Sequence, residues 1–385
     1  MLAGRNVALG VTGSIAAVRT VELAHELRRN GANVRAITTT SAESIINPWA
    51  LEFATEHPVV TEITGAVEHV DLCGHDGWAD VLLIAPATAN TIGKLAAAID
   101  DSPVTTCATT AIGADLPVVI APAMHDPMYD HPGVLDALDK LESWGIHIVP
   151  PRLEEGKAKI AGETAIISAA ARATNACQLA GYEVIVTSGA TSEPVDPVRI
   201  LTNRSSGKMG RAVAQELYVR GADVTLIHNG PDVPYATVES VETADEMRDV
   251  ALEYATDADA LISAAAIGDF EITAADHKLD SGEPTSITLT PGPKLIDAVR
   301  ETAPDLSIVG FKAEHDSDTE AMKRAARSLV ERVGAAFVVA NDASVMGDDH
   351  THAMIVDAAV ADTVEGSKAT LASHIADRLS DHLIG

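Results

Sequence analysis

The chain has 385 residues and a mass of 40.0 kDa, a length that favours two domains, each large enough to bury its own core. Its 27 Lys and Arg against 56 Asp and Glu give a formal net charge of −29, which excludes a broad phosphate-neutralising surface. We therefore expect no nucleic acid partner, and we expect bound anions to be held locally. The acidic excess, with only ten Lys, resembles proteins of salt-loving organisms, but a net-negative enzyme of an ordinary cytoplasm has the same charge.

Cysteine usage and hydropathy bear on cellular location. Cys73, Cys107 and Cys177 show no C-x-x-C spacing, which argues against a disulfide framework and against a structural zinc site. No apolar segment of the sequence approaches about 18 residues. We expect a cytoplasmic protein with reduced thiols and no membrane partner.

Short β-branched runs alternate with Ala-rich helical segments. In chain order, the pattern predicts strands at 6–11, 34–38, 81–87 and 117–123, and helices near 15–29, 89–98 and 130–144. A second series predicts strands at 183–189, 223–230, 260–266, 307–313 and 337–342. Such alternation is typical of a parallel sheet covered by helices on both faces, so we predict an α/β protein with two doubly wound parallel-sheet (Rossmann-like) domains.

The start of the second series of strands also sets the predicted domain boundaries. The first domain covers 1–165 and the second 183–385, and 166–182, which has no clear strand, is predicted as a linker. Gly31 and Gly221 each precede Ala-x-Val, a short echo that common α/β chemistry explains almost as well as duplication. Residues 365–367 (EGS) are predicted to form the turn of a late hairpin.

Three small-residue segments stand at predicted strand ends of the first domain. The first, Gly10 to Ala17, turns into a helix and suits a phosphate at a helix N-terminus, although packing alone produces such turns. The second runs from Ala85 to Thr91 and the third from Ala121 to Tyr129. Each is weak evidence alone, and their occurrence in this order is the strong signal.

In this order the segments resemble the flavin-binding cysteine decarboxylase family over about residues 1–165. The resemblance implies FMN as cofactor and Met124 and His125 as substrate contacts, with His125 standing where the family has an amide. It implies that the flavin is bound by Gly13, Ser14, Ile15, Thr38, Ser41, Ala85, Pro86, Ala87 and Thr88.

Two positions carry the expected decarboxylase chemistry. The resemblance makes His69 an acid/base or thiol-positioning residue near the flavin, whereas by itself it would be interpreted as a surface histidine. Where bacterial members have a mobile A-C-G segment, residues 156–162 contain no cysteine and Lys159 takes that place. We expect enclosure over an apolar flavin face to lower the pKa of Lys159 toward that of a proton donor. The alternatives are a solvated loop whose lysines have no role, His125, or a bound water.

The second domain has a long loop after its first strand, ending in Ser-Ser-Gly-Lys before a helix. Hydroxyls and free N–H groups at a helix start suit phosphate, although a generic helix cap uses the same residues. The whole run from Glu193 to Gly210 is far more specific, and it resembles the phosphopantothenate–cysteine ligase signature. Further segments in the expected order extend this resemblance over about 183–380.

The ligase resemblance implies roles residue by residue. Asn203 would contact the acyl phosphate intermediate, Asp269 the nucleotide and its Mg²⁺, Lys278 the triphosphate and Phe311 the base region. The other implied substrate contacts are Arg199, Ser205, Ser206, Gly207, Lys208, Ala264, Ala265, Pro293, Lys294, Leu295 and Ile296. Asp280, Leu329 and Val333 replace lysines that the family often carries, which leaves the choice between CTP and ATP open, with CTP favoured.

Together the halves are similar to the bifunctional phosphopantothenoylcysteine decarboxylase/phosphopantothenate–cysteine ligase family in its archaeal form. The resemblance implies that 4'-phosphopantothenate, cysteine and CTP react through an acyl-cytidylate, and that FMN-dependent decarboxylation then gives 4'-phosphopantetheine. It also implies a homo-oligomer built from decarboxylase trimers and ligase dimers, up to a dodecamer.

Two other functional classes are weighed against this one. A flavin-fold binding module would not need the ligase motifs. A flavin oxidoreductase with an external electron donor would need a nicotinamide site, but no complete G-x-G-x-x-G follows either opening strand.

Overall fold

The protein is described by a computed structural model that covers residues 1–280, 282, 285–314, 319–342 and 350–385. Within the described residues the chain divides into two compact units, Met1–Asn175 and Ala176–Gly385. Each unit is built on a mainly parallel sheet, which confirms the predicted α/β class with two doubly wound domains.

The first unit has a five-stranded parallel sheet in the order β2-β1-β3-β4-β6, and a separate antiparallel sheet in the order β5-β8-β7. Its strands are β1 (Asn6–Val11), β2 (Asn33–Thr38), β3 (Val81–Ala87), β4 (Val118–Pro122), β5 (Met124–His125), β6 (His147–Ile148), β7 (Arg152–Glu154) and β8 (Lys157–Lys159). All seven residues of β3 are buried, as expected for a central strand covered on both faces.

The helices of this unit follow the strands. They are a 3₁₀ helix (Ile15–Arg19), α1 (Thr20–Arg29), α2 (Thr40–Glu43), α3 (Pro48–Thr55), α4 (Glu68–Cys73), α5 (Ala89–Ala96), α6 (Pro103–Gly113), α7 (Asp126–Tyr129), α8 (Pro132–Ser143) and α9 (Glu163–Ala173). Local sequence sets several starts: Thr88 caps α5, and Ser102 forms a capping box with Thr105 ahead of α6. Because the sheet is parallel, the loops after β1, β2, β3 and β4 meet at one edge.

The segment 166–182, predicted as a linker, is largely structured. Helix α9 occupies its first half and contacts β3 and β4, with Ile166, Ile167 and Ala170 buried. The division between the units falls at 175/176, inside the predicted 166–182 segment, and α9 belongs to the first unit. Helix α9 was missed because the segment was interpreted as a linker on its lack of a clear strand, although its Ala-rich composition is also typical of a helix.

The second unit has an eight-stranded sheet in the order β13-β12-β9-β14-β17-β18-β19-β20, parallel as far as β18 and antiparallel beyond it. Its strands are β9 (Glu183–Ser188), β10 (Ser192–Pro194), β11 (Ile200–Thr202), β12 (Asp223–His228), β13 (Thr237–Ser240), β14 (Ala260–Ser263), β15 (Phe270–Ile272), β16 (Leu289–Pro291), β17 (Ser307–Glu314), β18 (Phe337–Asp342), β19 (His350–Val356) and β20 (Ala361–Ser367). Its helices are α10 (Lys208–Val219), α11 (Ala244–Tyr254), α12 (Leu295–Thr302), α13 (Thr319–Val333) and α14 (Lys368–Ile384).

The late hairpin exists, but its predicted turn at 365–367 is wrong. The chain turns at 357–360, where the Asp357 carboxylate accepts hydrogen bonds from the amides of Ala359 and Val360, both at 2.7 Å. Residues 365–367 end β20, and Ser367 caps α14. An Asp side chain that bonds amides two and three residues ahead makes a turn without glycine, so the Gly signal misplaced it.

Helix α10 lies so close to β9 that it requires a glycine. A Cβ on Gly210 would lie 2.5 Å from Ser188 Cβ, whereas a Cβ on Gly93 in α5 would meet nothing within 4 Å. We expect Gly210→Ala to lower the free energy of unfolding by about 1–3 kcal/mol through overpacking. The matched Gly93→Ala should raise it by about 0.5–1 kcal/mol, because alanine loses less backbone entropy in a helix. Urea denaturation of the full chain measures both, and equal effects would contradict the close packing.

Candidate functional site

The first unit contains a cavity of about 520 Å³ at the edge where its strand-end loops meet. Seven of the residues that the sequence singled out line it: Gly13, Ser14, Ile15, Thr88, Met124, His125 and Lys159. The remaining lining residues are Ala16, Arg19, Ala123, Met128, Arg152, Lys157, Ala158 and Ile160. The cavity is within the range of roughly 300–1,000 Å³ that is typical of small-molecule sites.

The turn after β1 forms one wall of this cavity. The hydroxyl of Ser14 accepts a hydrogen bond from the amide of Ala16 at 3.4 Å, which caps the 3₁₀ helix. Gly13 cannot be replaced easily, because a Cβ there would lie 2.4 Å from Ser41 Cβ. Thr38 is buried and its hydroxyl donates to Glu43 at 3.0 Å. Ser41 and Thr38 thus lie close behind the turn and are not part of the described lining.

The loop after β3 is tied to the same turn by a residue that the sequence did not reveal. The Thr12 hydroxyl donates to the carbonyl of Pro86 at 2.7 Å and accepts from the amide of Thr88 at 3.1 Å. Ala85, which precedes Pro86 through a cis peptide bond, and Ala87 are fully buried, so Thr88 alone of the predicted 85–88 set lines the cavity. Threonine at a strand end carries no distinctive sequence signal, which explains why Thr12 was missed.

The segment expected to be a mobile flap is a β-hairpin. Strands β7 and β8 pair through a turn at Glu155 and Gly156, both at positive φ (53° and 68°). Strand β8 also pairs with β5, so that Ala158 lies opposite Met124 and Lys157 opposite His125. The hairpin is therefore anchored to the loop that carries the predicted substrate contacts.

The expected lowering of the Lys159 pKa is wrong. The ammonium group donates to the carboxylates of Glu155 at 2.8 Å and Glu154 at 3.2 Å. These hydrogen bonds, the one to Glu155 being the larger influence, raise the pKa of Lys159 above its usual value. The sequence placed two acidic residues beside Lys159, but the hairpin geometry that aims them at its ammonium group could not be seen in it.

His69 lies on α4 and is not among the described residues that line the 520 Å³ cavity. Its ring is half-buried, and its Nδ1 atom is buried without a hydrogen-bond partner among the described residues. Leaving a buried polar atom without a hydrogen bond costs free energy, so a partner atom from a ligand or another chain would stabilise this arrangement.

The second unit contains two adjoining cavities, one of about 430 Å³ and one of about 290 Å³. Both are lined by Ala265, Ile267, Asp269, Phe311 and Lys312, which form a shared wall. The larger cavity is completed by Ser263, Gly268, Gly292, Pro293, Lys294, Leu295, Ile296, Ala325, Ser328, Leu329 and Arg332. The smaller is completed by Ser205, Ser206, Gly207, Lys208, Met209, Gly210, Ala264, Ala266, Ala313, Val339, Asn341, Thr351, Lys368 and Leu371.

Twelve of the residues predicted for this unit line these cavities, and three do not. The side-chain amide of Asn203 donates to the carbonyls of Ala266 at 3.1 Å and Ile267 at 3.4 Å, which puts it directly beside the cavity walls. Lys278 is exposed and outside both linings. Arg199 is also outside them, and it forms an ion pair with Asp196 and donates to the carbonyl of Leu279 at 3.2 Å.

Asp196 holds this long loop together. Burial alone would raise the pKa of its carboxyl group. Hydrogen bonds from the amides of Leu279 (3.0 Å), Val198 (2.8 Å) and Arg199 (2.8 Å), together with the Arg199 side chain, outweigh burial and lower that pKa to about 2. Asp196 is thus ionised at neutral pH, and Arg199 neutralises it instead of reaching a phosphate in a cavity.

Helix α10 begins at the smaller cavity. Gly207 precedes it with a φ of 67°, and its carbonyl accepts from the hydroxyl of Ser188 at 2.9 Å. No side-chain hydrogen bond from Gly207 caps the first turn, which begins at the serines of the loop.

Lysines gather at the cavities. Of the ten Lys residues in the chain, six line one of the three cavities, at 157, 159, 208, 294, 312 and 368. Sequence reasoning gave no individual role to Thr351, Lys368, Lys312 or Asn341. Their strand-end positions were a usable signal for Lys312 and Asn341, whereas a lysine after a helix cap offers none.

Two findings concern metals and membranes. The described part of the chain holds no group of three or more His, Cys, Asp or Glu side chains that could bind a metal ion. None of its described helices is both long and apolar enough to cross a membrane.

Comparison with known proteins covers both units. A family model described as "Flavoprotein" matches residues 1–175, and one described as "DNA/pantothenate metabolism flavoprotein C-terminal domain" matches residues 179–383. A crystal structure described as the C-terminal domain of coenzyme A biosynthesis bifunctional protein CoaBC is 26% identical and has a TM-score of 0.46, covering 54% of this chain and 99% of its own.

Two archaeal relatives match nearly the whole chain. The coenzyme A biosynthesis bifunctional protein CoaBC of Thermococcus kodakarensis is 48% identical over 363 residues, which cover 92% of this chain and 89% of the relative. The protein of the same name from Methanocaldococcus jannaschii is 36% identical over 385 residues, with 98% and 94% covered. This chain therefore belongs to the family of coenzyme A biosynthesis bifunctional proteins, and it combines a decarboxylase and a phosphopantothenate–cysteine ligase in one polypeptide.

Proposed function

We propose that the second unit joins 4'-phosphopantothenate to cysteine at the expense of CTP, and that the first unit decarboxylates the product with FMN. The observation that carries the proposal is the pair of cavities sharing a wall in the second unit. A ligase that activates a carboxylate must hold the acid and the nucleotide side by side, with the reacting groups at their junction. Two separate cavities without a common wall could not do this.

We assign the nucleotide to the larger cavity. Phe311, which the ligase resemblance associates with the base region, lines it together with the implied substrate contacts 293–296. Lys294 and Lys312 line it, which suits a triphosphate, whereas Arg332 in the same lining is paired with Asp297. CTP is the proposed nucleotide and ATP the less favoured one.

Asp269 is the proposed contact of Mg²⁺. Its side chain lines both cavities, so it stands where the nucleotide and the acid would meet. Magnesium usually binds through one or two carboxylates together with substrate phosphates, so a single aspartate fits an ion carried by the nucleotide. When bound, Mg²⁺ would neutralise charge on the departing pyrophosphate.

The order of the ligase chemistry follows from reactivity. A free carboxylate is a poor electrophile, so the acid must first attack the nucleotide to give an acyl-cytidylate and pyrophosphate. The amine of cysteine then displaces CMP and forms the amide. Asn203 is the proposed donor to the acyl phosphate oxygen, and it would exchange its longer hydrogen bond, the one to the carbonyl of Ile267 at 3.4 Å, for this contact.

The test is pyrophosphate release by the purified full chain, which should require 4'-phosphopantothenate and CTP together. Asn203→Asp should reduce phosphopantothenoylcysteine formation by about 10²–10³-fold, because it replaces a donor with a like charge. The dissociation constant of CTP should stay unchanged in this variant and serves as the folding control. Release by the wild type without the acid would contradict the proposed function, and normal turnover of the variant would remove Asn203 from the site.

FMN is the cofactor proposed for the first unit. The cavity offers hydroxyls of Ser14 and Thr88, amides at the start of the 3₁₀ helix, and apolar side chains at Ile15 and Met128, a set that fits a phosphate and a flat ring. When bound, FMN would supply a two-electron acceptor that oxidises the cysteinyl thiol to a C=S group, the sink for the electrons released with CO₂, and it would then return the two electrons, so that no external reductant is consumed. The chain's part is to place the substrate thiol and to move its proton.

His69 is proposed to move that proton, since its buried Nδ1 atom lacks a partner. We expect His69→Asn to keep the yellow flavin and lose CO₂ release, because asparagine retains a polar group of similar size without an acid/base function. His75→Asn, an exposed histidine six residues further on, is the control and should release CO₂ as the wild type does. Flavin absorbance and CO₂ release are measured together, and loss of both in His69→Asn would show a structural or cofactor-binding role instead.

The contacts of Lys159 predict that its substitution has only a small effect on 4'-phosphopantetheine formation. A proton donor contributes about 10²–10⁴-fold, but the two glutamates make Lys159 a poorer acid than a free lysine. We expect Lys159→Ala to reduce 4'-phosphopantetheine formation by less than tenfold, similar to Lys157→Ala in the same strand. Accumulation of decarboxylated enethiol with reduced flavin in Lys159→Ala alone would restore Lys159 as the donor.

We further propose a homo-oligomer based on trimers of the first unit, in a cytoplasm of high ionic strength. Supporting the oligomer, Trp49 and Phe53 on α3 are 78% and 77% exposed, and Val70 beside His69 is also exposed. The net charge of −29 supports the salt-rich setting, and the three free cysteines support a reducing one.

A further inference from the structure

The wall between the two cavities of the second unit is a short loop that is held from behind by another segment. Residues 264–268 follow β14, each of them lines at least one cavity, and they lead to Asp269, which lines both. Residues 189–191 follow β9 and run parallel to this loop, so that the amide of Ala266 donates to the carbonyl of Gly189 at 2.8 Å. The loop is therefore attached to the end of β9.

Thr191 makes three hydrogen bonds to the segments that form the site. Its hydroxyl accepts from the amide of Gly268 at 2.8 Å, and its own amide donates to the carbonyl of Ala266 at 3.4 Å. Its carbonyl accepts from the hydroxyl of Thr202 at 2.8 Å, one residue before Asn203. Thr191 is only 2% exposed and lines neither cavity, so it connects parts of the site without contacting a substrate.

A second threonine holds the start of the same loop. Thr187 is fully buried on β9, and its hydroxyl accepts from the amide of Ala265 at 3.2 Å. The hydroxyl of Thr191 holds the other end of the loop, because its partner Gly268 directly precedes Asp269. Loss of the Thr191 hydroxyl would thus free the end that carries the aspartate and leave the start of the loop in place.

We infer that Thr191 is a positioning residue of the ligase, and that its hydroxyl fixes the backbone before Asp269 so that the carboxylate stays at the junction of the two cavities. This inference rests on the proposed function, in which Asp269 contacts Mg²⁺ at that junction. A displacement of about 1 Å at a reacting centre can reduce a rate by about 100-fold. A buried hydrogen bond to the adjoining amide prevents such a displacement, and Thr191 acts only through it.

The experiment removes the hydroxyl of Thr191 in the full chain and keeps the size of the side chain. Thr191→Val should lower kcat for pyrophosphate release with 4'-phosphopantothenate and CTP by about 10- to 100-fold, whereas KM for 4'-phosphopantothenate should not change. Thr191→Ala, which cannot introduce a clash, is measured alongside and should behave in the same way. Thr191→Ser keeps the acceptor oxygen and should recover most of the rate.

Binding of CTP with and without Mg²⁺, measured by calorimetric titration, gives a readout that does not depend on turnover. Mg²⁺ should tighten CTP binding to the wild type, and Thr191→Val should lose most of this gain because Asp269 is displaced. Without Mg²⁺, CTP should bind equally well to both proteins. The double variant of Thr191→Val with Asp269→Asn should lose no more of the gain than Asp269→Asn alone, since one residue acts through the other.

Thr55→Val is the matched control, because Thr55 is a buried threonine of the first unit whose hydroxyl donates to the carbonyl of Leu51 at 2.8 Å. It should lower the free energy of unfolding and leave pyrophosphate release unchanged. A normal kcat in Thr191→Val, equal losses of CTP binding with and without Mg²⁺, or additive losses in the double variant would overturn the inference. If the wild type released no pyrophosphate with both substrates present, the proposed ligase function itself would fall, which is a different result from a working ligase that is indifferent to Thr191.

Discussion

Scarcity of positive charge is the constraint on which this protein's chemistry depends. With 56 Asp and Glu against 27 Lys and Arg, most of its surface repels phosphates, yet the proposed acid substrate, the proposed nucleotide and FMN all carry phosphate groups. The fold resolves the conflict by gathering lysines at the strand-end edges of two parallel sheets, where helix starts add N–H donors. Phosphate affinity is thus local, and it depends on the strands and helices that place those lysines at the cavities.

The architecture was largely predictable because its cause is local. A continuous apolar run such as 81–87 is stable as a strand only when both of its faces are buried, so its presence predicts a parallel sheet covered on both sides. Two elements were not predicted. Helix α9 lies in a segment that was interpreted as a linker because it contains no clear strand, and the turn at 357–360 uses an aspartate side chain where a glycine was expected.

The candidate sites were predictable only in part, for a related reason. Residues in contiguous motifs at strand ends or helix starts, such as Ser205 to Lys208, do line a cavity. Charged residues in long loops were harder to judge, because a loop can satisfy a charge internally. Arg199 illustrates this, since its guanidinium is held by Asp196 and a carbonyl. A resemblance identifies which residue types matter, but the partners that modify them appear only in three dimensions.

The pairing of Arg199 with Asp196 also helps to fix the position of the long loop. Asp196 accepts amide hydrogen bonds from its own loop and from Leu279, a distant segment of the chain, so this end of the loop is braced against that segment. Between that brace and the start of α10, Asn203 donates to the carbonyls of Ala266 and Ile267. A donor that must meet an oxygen at the junction of two cavities needs such fixed positioning, because small displacements weaken the stabilisation of developing charge. In the proposed ligase reaction, Arg199 and Asp196 would therefore act through the position of Asn203, although neither lines a cavity.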